Sequence, residues 1–126
     1  MDTRAQHLLA EYFGCDADRL NDRQGLERLM REAADAAGAS VVGAAFHPYS
    51  PHGVTGVLLI AESHFSLHTW PEHGYAAADF YTCGSLLPER ALEPLGRGLS
   101  ATRVETLLIE RGRGEAAPFR IVPRPH

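Results

Sequence analysis

The amino-acid sequence predicts an α+β fold, a two-layer sandwich of a mainly antiparallel sheet with two helices packed on one face. Two observations carry this prediction. The middle of the chain holds four stretches with the composition of β-strands, separated only by short turns. Apolar stripes at helical spacing lie before and after this block and supply the two helices. At 126 residues the chain, 1–126, fits a single domain.

The first part of the chain contains one ambiguous segment and one clear helix. Residues 7–15 (HLLAEYFGC) are compatible with a short helix or with a strand that is buried on both faces. In the next segment Asn21 or Asp22 can cap a helix, and Gly38 can end it. Its apolar stripe consists of Leu26, Leu29, Met30, Ala33 and Ala37.

Four strands are predicted next, and turns rich in proline, glycine and serine separate the first two. The third strand alternates, with Phe65, Leu67 and Thr69 on one face and polar or amphipathic side chains on the other. The predicted strands cover residues 40–47, 54–61, 64–70 and 75–83.

The last third of the chain predicts a helix, a strand and a tail. Pro88 opens the helix. Its apolar side consists of Ala91, Leu92, Leu95 and Leu99. Residues 103–109 predict a final strand, and the tail 111–126, rich in glycine, proline and arginine, is expected to be loosely held.

Composition excludes several classes of function. The formal net charge of -4 leaves no basic stripe of the kind that nucleic-acid binding needs. No apolar run approaches the roughly 20 residues of a membrane span, and the N-terminus leads into no signal-peptide core. We therefore expect a cytoplasmic protein without nucleic-acid or membrane partners. Its two cysteines, Cys15 and Cys83, form no CxxC motif and are expected to be reduced thiols.

All 12 basic residues are arginine, and the chain contains no lysine. Pyridoxal phosphate enzymes hold their cofactor through a lysine Schiff base, and lysine amines also act as nucleophiles on carbonyl groups. Both routes are closed to this chain, so no pyridoxal phosphate is expected. Genome base composition, which can replace lysine by arginine, accounts for the same absence without a functional cause.

Four polar features lie close together in the predicted sheet: residues 62–64, His68, the turn at 72–73, and Cys83. On a regular strand His64 and His68 are about 13 Å apart, too far for two ligands that each lie about 2.1 Å from one zinc ion. We therefore expect no metal site. A serine hydrolase is also disfavoured, because Ser63 lacks the GxSxG elbow. Taken singly, each of these residues is more often structural; their combination points to chemistry.

The segment AESHFSLHTWPEHGYAAADFYTCG, residues 61–84, resembles the signature of the small prokaryotic S-adenosylmethionine decarboxylases. The resemblance extends over HLLAEYFGCD, FHPYSPHGVTGVLLIAES and IERGRG elsewhere in the chain. It implies a pyruvoyl-dependent decarboxylase that converts S-adenosylmethionine to decarboxylated S-adenosylmethionine and CO2 for spermidine biosynthesis. The expected assembly is a homodimer of processed protomers.

The same resemblance implies that the chain cuts itself between Glu62 and Ser63 into segments 1–62 and 63–126. The Ser63 side chain would attack the Glu62 carbonyl in an N-to-O acyl shift. Elimination of the resulting ester would then split the chain, and the serine remnant would become a covalent pyruvoyl cofactor.

The resemblance assigns roles to three further residues. His68 resembles the base that removes the α-proton during elimination, and histidine is well suited to that role near neutral pH. Thr55 stands where the family often has a serine that supports the cyclic intermediate. Cys83 resembles the acid that protonates the substrate carbon once CO2 has left.

The resemblance also implies a substrate and the residues that bind it. In the family, adenine lies between aromatic side chains at a dimer interface; Tyr49 matches such a position, and Phe65 and Trp70 are further candidates. Arginine or ornithine decarboxylases with the same machinery are the alternative, and Glu72 and Asp79 are candidate contacts for a cationic side chain, with His52 on the same loop as Tyr49. A non-catalytic dimeric ligand-binding relative is the second alternative.

Overall fold

A computed structural model describes residues 3–116 and 118–123 of the chain. Within that part, the helices and strands follow one another in nearly the order that the sequence predicts. In chain order the elements are β1 (Ala5–Phe13), α1 (Ala17–Leu20), α2 (Arg23–Ala36), β2 (Val41–Pro48), β3 (Val54–Ile60), β4 (Ser63–Trp70), a 3-10 turn (Pro71–His73), β5 (Tyr75–Cys83), a second 3-10 turn (Pro88–Ala91), α3 (Leu92–Gly98), β6 (Arg103–Arg111) and β7 (Phe119–Val122).

The strands form one seven-stranded antiparallel sheet in the order β2-β3-β4-β5-β1-β6-β7. The expected α+β class is confirmed. The ambiguous segment 7–15 is resolved as a strand over most of its length, because β1 enters the sheet between β5 and β6. There Leu8 pairs with both Phe80 and Leu108, so the backbone of this strand finds hydrogen-bond partners on both sides.

Helices cover one face of the sheet and form the core with it. Leu26 and Met30 of α2 and Leu95 of α3 are fully buried against this face. From the sheet, the ring of Phe65 meets that of Phe80 edge-on, with centroids 4.8 Å apart. Burying each such side chain stabilises the fold by about 1.5–3 kcal/mol, so alternation along the strands is enough to fix which face meets the helices.

Local signals set the bounds of the long helix. Of the two predicted caps it is Asp22 that begins α2, because its carboxylate accepts the backbone N–H of Gly25 at 3.0 Å. A Cβ at position 25 would lie 2.3 Å from that carboxylate, which explains a glycine in the first turn. The helix ends at Ala36, and Gly38 follows with a φ of +83°.

The end of the chain differs from the prediction. The sequence predicts a loosely held tail over 111–126, whereas Phe119–Val122 forms β7 and pairs with β6. That part of the prediction is wrong: Ile121 lies opposite Ile109, and the side chain of Val122 packs against the core. Residues 124–126 lie outside the described part of the chain.

The second face of the sheet, called the open face below, carries apolar side chains in contact with solvent. Leu59 is 52% exposed, Trp70 41% and Ile121 58%. Polar side chains occupy its centre, on the neighbouring strands β4, β5 and β1. Among the described helices, none has the length and apolar character needed to cross a membrane.

Candidate active site

The hairpin between β3 and β4 holds the predicted cleavage site at its tip. Ile60 and Ser63 form the last cross-strand pair, so Ala61 and Glu62 alone make the turn. The Glu62 N–H donates to the Ile60 carbonyl at 2.9 Å, and the φ of Glu62 is +121°. Such a conformation costs a residue with a Cβ about 1–3 kcal/mol. The peptide bond before Ser63 therefore follows a strained residue.

Cys83 lies beside this tip. It ends β5, which runs antiparallel to β4 with His64 opposite Tyr81, so the end of β5 meets the start of β4. The Cys83 thiol donates to the carbonyl oxygen of Glu62 across 3.7 Å. The structure thus brings three predicted residues together where β4 begins: Glu62, Ser63 and Cys83. We call this group the Ser63 end.

His68 lies at the opposite end of β4. Its Nδ1 is 3.1 Å from the hydroxyl oxygen of Thr55, its cross-strand partner on β3. Five residues of extended strand separate His68 from Ser63, which corresponds to about 16 Å. His68 therefore does not reach Ser63 within one chain, although it was expected to remove the α-proton of residue 63.

The aromatic and acidic candidates also gather near His68. Tyr49 is 50% exposed on the β2–β3 loop, and its ring meets that of His47 edge-on at 4.7 Å. Glu72 lies in the turn after β4, where His52 Nε2 is 2.5 Å from its carboxylate. The hydrogen bond from His52 lowers the pKa of Glu72. We call the group formed by Thr55, His68, Tyr49 and Glu72 the His68 end, after its position along β4.

The remaining aromatic candidates differ from each other. The Trp70 ring lies on the open face, 5.2 Å from the ring of Tyr75. Phe65, by contrast, is fully buried under the helices against Phe80. Its prediction as a substrate-binding residue is wrong, because the alternation of β4 turns its ring away from the open face.

The two cysteines have different environments. Cys15 is buried, and burial raises the pKa of its thiol to about 11. Cys83 is partly exposed, and both are free thiols. Cys83 is therefore the thiol that a reagent or substrate can reach.

A cavity of about 480 Å³ opens where β1 begins and where β5 and β6 end. Gly84 and Ser85, which follow Cys83 in the chain, form part of its wall, and Arg4 and Arg111 also line it. Guanidinium groups pair well with carboxylates. Glu110 also lines the cavity and pairs with Arg113, so the wall next to the Ser63 end carries charges of both signs.

A polar cluster at the centre of the open face was not predicted as a unit. Asp79 on β5 is contacted by His7 from β1 and by His64 and Ser66 from β4. Burial alone would raise the pKa of Asp79, but hydrogen bonds and charge from His7 and His64 lower it overall. The members are far apart in sequence, so only the strand register places them together.

Fold and site together define the class: an α+β sandwich with a strained Glu-Ser hairpin tip and a free thiol on its carbonyl. Comparison with known proteins identifies the family. A sequence model of the family described as S-adenosylmethionine decarboxylase matches residues 6–112. The S-adenosylmethionine decarboxylase proenzyme of Shouchella clausii (strain KSM-K16) is 45% identical over 119 residues, covering 94% of this chain and 92% of the relative.

Two further relatives extend the comparison. The S-adenosylmethionine decarboxylase proenzyme of Bacillus cytotoxicus is 47% identical over 115 residues, 90% of this chain and 88% of the relative. The crystal structure of the adenosylmethionine decarboxylase from Aquifex aeolicus VF5 matches with a TM-score of 0.81 at 37% identity, covering 91% of this chain and 96% of that chain. This chain belongs to the S-adenosylmethionine decarboxylase family, and the resemblance inferred from residues 61–84 is confirmed.

Proposed function

We propose that this chain is a proenzyme that cleaves its own Glu62–Ser63 bond and then removes CO2 from S-adenosylmethionine, a step of spermidine biosynthesis. One observation carries the proposal: the Cys83 thiol donates to the carbonyl of Glu62, whose backbone is strained and whose next residue is Ser63. Nucleophile, scissile carbonyl and acid thus share one hairpin tip. Membership in a family whose relatives are named proenzymes supports the same reading.

The processing step uses atoms of this chain and one water. Ser63 Oγ bonds to the Glu62 carbonyl carbon, the C–N bond breaks, and the hydroxyl proton moves to the nitrogen, giving an ester. A base takes the α-proton of residue 63, and the bond between its Cβ and Oγ breaks, so that this oxygen leaves as part of the free α-carboxylate of Glu62. The dehydroalanine left at position 63 exchanges its nitrogen for the oxygen of water, releases ammonia and becomes the pyruvoyl group. Strain at Glu62 raises the energy of the starting peptide and favours the attack.

The residues present fit a pyruvoyl group at position 63. Ser63 begins β4, so a cut before it leaves the new terminus held by the sheet next to Cys83. When formed, the group supplies a carbonyl that accepts the electrons released with CO2. The chain has no lysine to hold pyridoxal phosphate, so a carbonyl made from its own backbone suits this composition. In this proposal Cys83 delivers a proton to the substrate carbon.

A homodimer completes the site in this proposal. His68 and Ser63 lie about 16 Å apart on one strand, yet processing needs a base at residue 63. In this dimer two copies stack their open faces, and the two-fold axis between them passes over β4 near Ser66. The β4 strands of the two copies then run in opposite directions. The partner's His68 then lies over Ser63. The exposed apolar residues of the open face, such as Leu59 and Ile121, supply the surface that such a contact needs.

Two contacts favour S-adenosylmethionine over a basic amino acid. The carboxylates proposed to hold a guanidinium or ammonium are already engaged, Glu72 by His52 and Asp79 by His7. The half-exposed ring of Tyr49, together with Trp70, offers apolar faces to an adenine and a sulfonium cation. Arginine or ornithine decarboxylation and a purely ligand-binding role remain the alternatives that the experiment must separate. A cytoplasmic location, in which Cys83 stays reduced, belongs to the same proposal.

The test combines mass spectrometry with a CO2-release assay. Purified protein should appear as chains 1–62 and 63–126, the second with an N-terminus lighter than serine by one ammonia. Ser63→Ala should stay intact and inactive, whereas Ser66→Ala, a matched hydroxyl loss on the same strand, should still be cut. S-adenosylmethionine, arginine and ornithine are then assayed separately. An intact chain after prolonged incubation overturns self-processing; release from arginine or ornithine alone overturns the proposed substrate.

A further inference from the structure

Asp79 stands at the centre of a three-strand cluster on the open face. His7 on β1 and His64 on β4 flank Tyr81 of β5, and both imidazoles lean toward the carboxylate two residues earlier on β5. One nitrogen from each histidine and one oxygen of Asp79 lie within 4.8 Å of one another. The sheet register fixes all three positions, so the group is preorganised rather than collected from flexible loops.

The distances match those of a tetrahedral metal site. Zinc bonds of about 2.1 Å imply separations between ligand atoms of about 3.4 Å. His64 Nε2 and Asp79 Oδ2 are 3.4 Å apart. His7 Nε2 forms a direct hydrogen bond to the same oxygen, so a small outward rotation of its ring admits an ion. Two histidines and one carboxylate supply three ligands, and a tetrahedral ion takes a fourth, such as water, in the remaining position.

A second layer of contacts orients these groups. Ser66 donates its hydroxyl to Oδ1 of Asp79, so Oδ2, the oxygen that both histidines contact, is the one that would bind the ion. The side chains of His7 and Asp79 are only 17% and 21% exposed. Partial burial of an anion between two imidazoles creates a site where a divalent cation is electrostatically favoured.

In the ion-free protein, Arg111 determines which nitrogen of the His7 ring acts as the hydrogen-bond acceptor. Its guanidinium lies 3.1 Å from His7 Nδ1, and because a guanidinium only donates, Nδ1 is the acceptor. When the ring carries a single proton, that proton is then on Nε2 and points to Asp79. For Nε2 to bind an ion, that proton must move to Nδ1 and Arg111 must move away. The guanidinium already lies 4.6 Å over the Tyr81 ring, which can hold it.

We propose that His7, His64 and Asp79 bind one divalent transition-metal ion, with zinc the best match, at the centre of the open face. The ion ties together β1, β5 and β4, and Arg111 acts as its competitor. The site is separate from Ser63 and Cys83 in its ligands and does not depend on the proposed decarboxylation. The sequence expectation of no metal site concerned the spacing of His64 and His68, whereas these three ligands are brought together by strand register.

The test is a cobalt titration of the full-length, chelator-treated protein, with zinc as the displacing ion. Tetrahedral Co2+ should give visible d–d absorption that saturates at one ion per chain and disappears when zinc is added. Thiolate ligation by Cys15 or Cys83 would instead add an intense near-ultraviolet band, and that result would overturn the assignment. The Ser63→Ala protein should bind equally well, which separates this site from the processing chemistry.

Variants with opposite expected effects make the test decisive. Asp79→Asn should weaken binding at least about 100-fold, and His64→Gln, at a more exposed position, provides a second ligand loss if the first variant folds poorly. Arg111→Gln should tighten binding about tenfold, because the amide oxygen can accept the Nδ1 proton that Arg111 opposes. His73→Ala removes an exposed histidine elsewhere and should change nothing. Absence of saturable binding, or equal binding by Asp79→Asn, would overturn the proposal.

Discussion

The thiol of Cys83 donates to the carbonyl oxygen of Glu62 across 3.7 Å, linking the last residue of β5 to the residue before the proposed cleavage site. Cys83 is the proposed proton donor in decarboxylation, and this contact places it at the peptide bond that is proposed to be cut during processing. A thiol is a weak hydrogen-bond donor, so its effect on the Glu62 carbonyl is small. The role proposed for Cys83, to donate a proton to the substrate carbon, would have a larger effect on rate.

Cys83→Ala should therefore separate the two reactions. We expect cleavage to slow by less than about tenfold, because only a weak hydrogen bond is lost, and CO2 release to fall about 100-fold or more, because a general acid is lost. Intact mass over time gives the first rate and CO2 release gives the second. The matched control is Cys15→Ala, whose buried thiol is far from the hairpin in the fold and should leave both rates near those of the wild type. Equal loss of both rates in Cys83→Ala would contradict the division of roles.

Glu62→Gly should stabilise the uncut chain and slow its cleavage. Glycine adopts the φ of +121° without a Cβ clash, so in a Ser63→Ala background the free energy of unfolding should rise by about 1 kcal/mol. In a chain that keeps Ser63, loss of strain should lower the cleavage rate. Urea unfolding and intact mass measure the two effects. Ser100→Gly, which relieves a second positive φ (56°), should stabilise the fold without affecting cleavage. Faster cleavage by Glu62→Gly would rule out a contribution of strain.

Much of the fold follows from local patterns. The alternation of Phe65, Leu67 and Thr69 fixes the face of β4, and the Asp22 cap begins α2. The features of the fold that the sequence does not predict depend on strand register and on pairing between distant segments. β7 is short, and its four residues carry little signal until they pair with β6.

The candidate site likewise has residues that the sequence predicts and contacts that it does not predict. Ser63 and Cys83 were found from a motif, and the structure brings them together with Glu62. The distance between Ser63 and His68 was open to prediction from strand geometry alone, since five extended residues cannot fold back on themselves. The contact of His7 with Asp79 spans 72 positions in sequence and had no local signal.

Stability at alkaline pH should depend on Tyr75. Burial, together with a hydrogen bond to Glu11 and its charge, raises the pKa of Tyr75 from 10.0 to about 12. Because the folded-state pKa lies above the unfolded value, the stability from neutral Tyr75 is fully present below pH 10. It is lost as the pH rises from 10 through about 12. The chain has no lysine, but Cys15, whose pKa is raised to about 11, titrates in the same window, so the comparison must isolate Tyr75 with a matched variant.

Urea unfolding of wild type and Tyr75→Phe across this range gives the measurement. The difference in unfolding free energy between the two proteins should be constant from pH 8 to about pH 9.5 and should shrink above pH 10, since only the wild type has this tyrosine to ionise. A difference that stays constant up to pH 12 would show that Tyr75 ionises alike in the folded and unfolded chains.

The distance between Ser63 and His68 leads to the most specific prediction about assembly. Neither Ser63→Ala nor His68→Ala should be cut when expressed alone, because one lacks the nucleophile and the other the base. When the two are coexpressed with different tags, a mixed dimer contains one complete site, formed by Ser63 of the His68→Ala chain and the His68 of its partner. Only the His68→Ala chain should then be cut, and intact mass of the tagged chains shows which one it is. Cleavage of His68→Ala alone at the wild-type rate would mean that His68 is not the base. Failure of the purified mixed dimer to cleave would mean that the two ends do not meet across the open face.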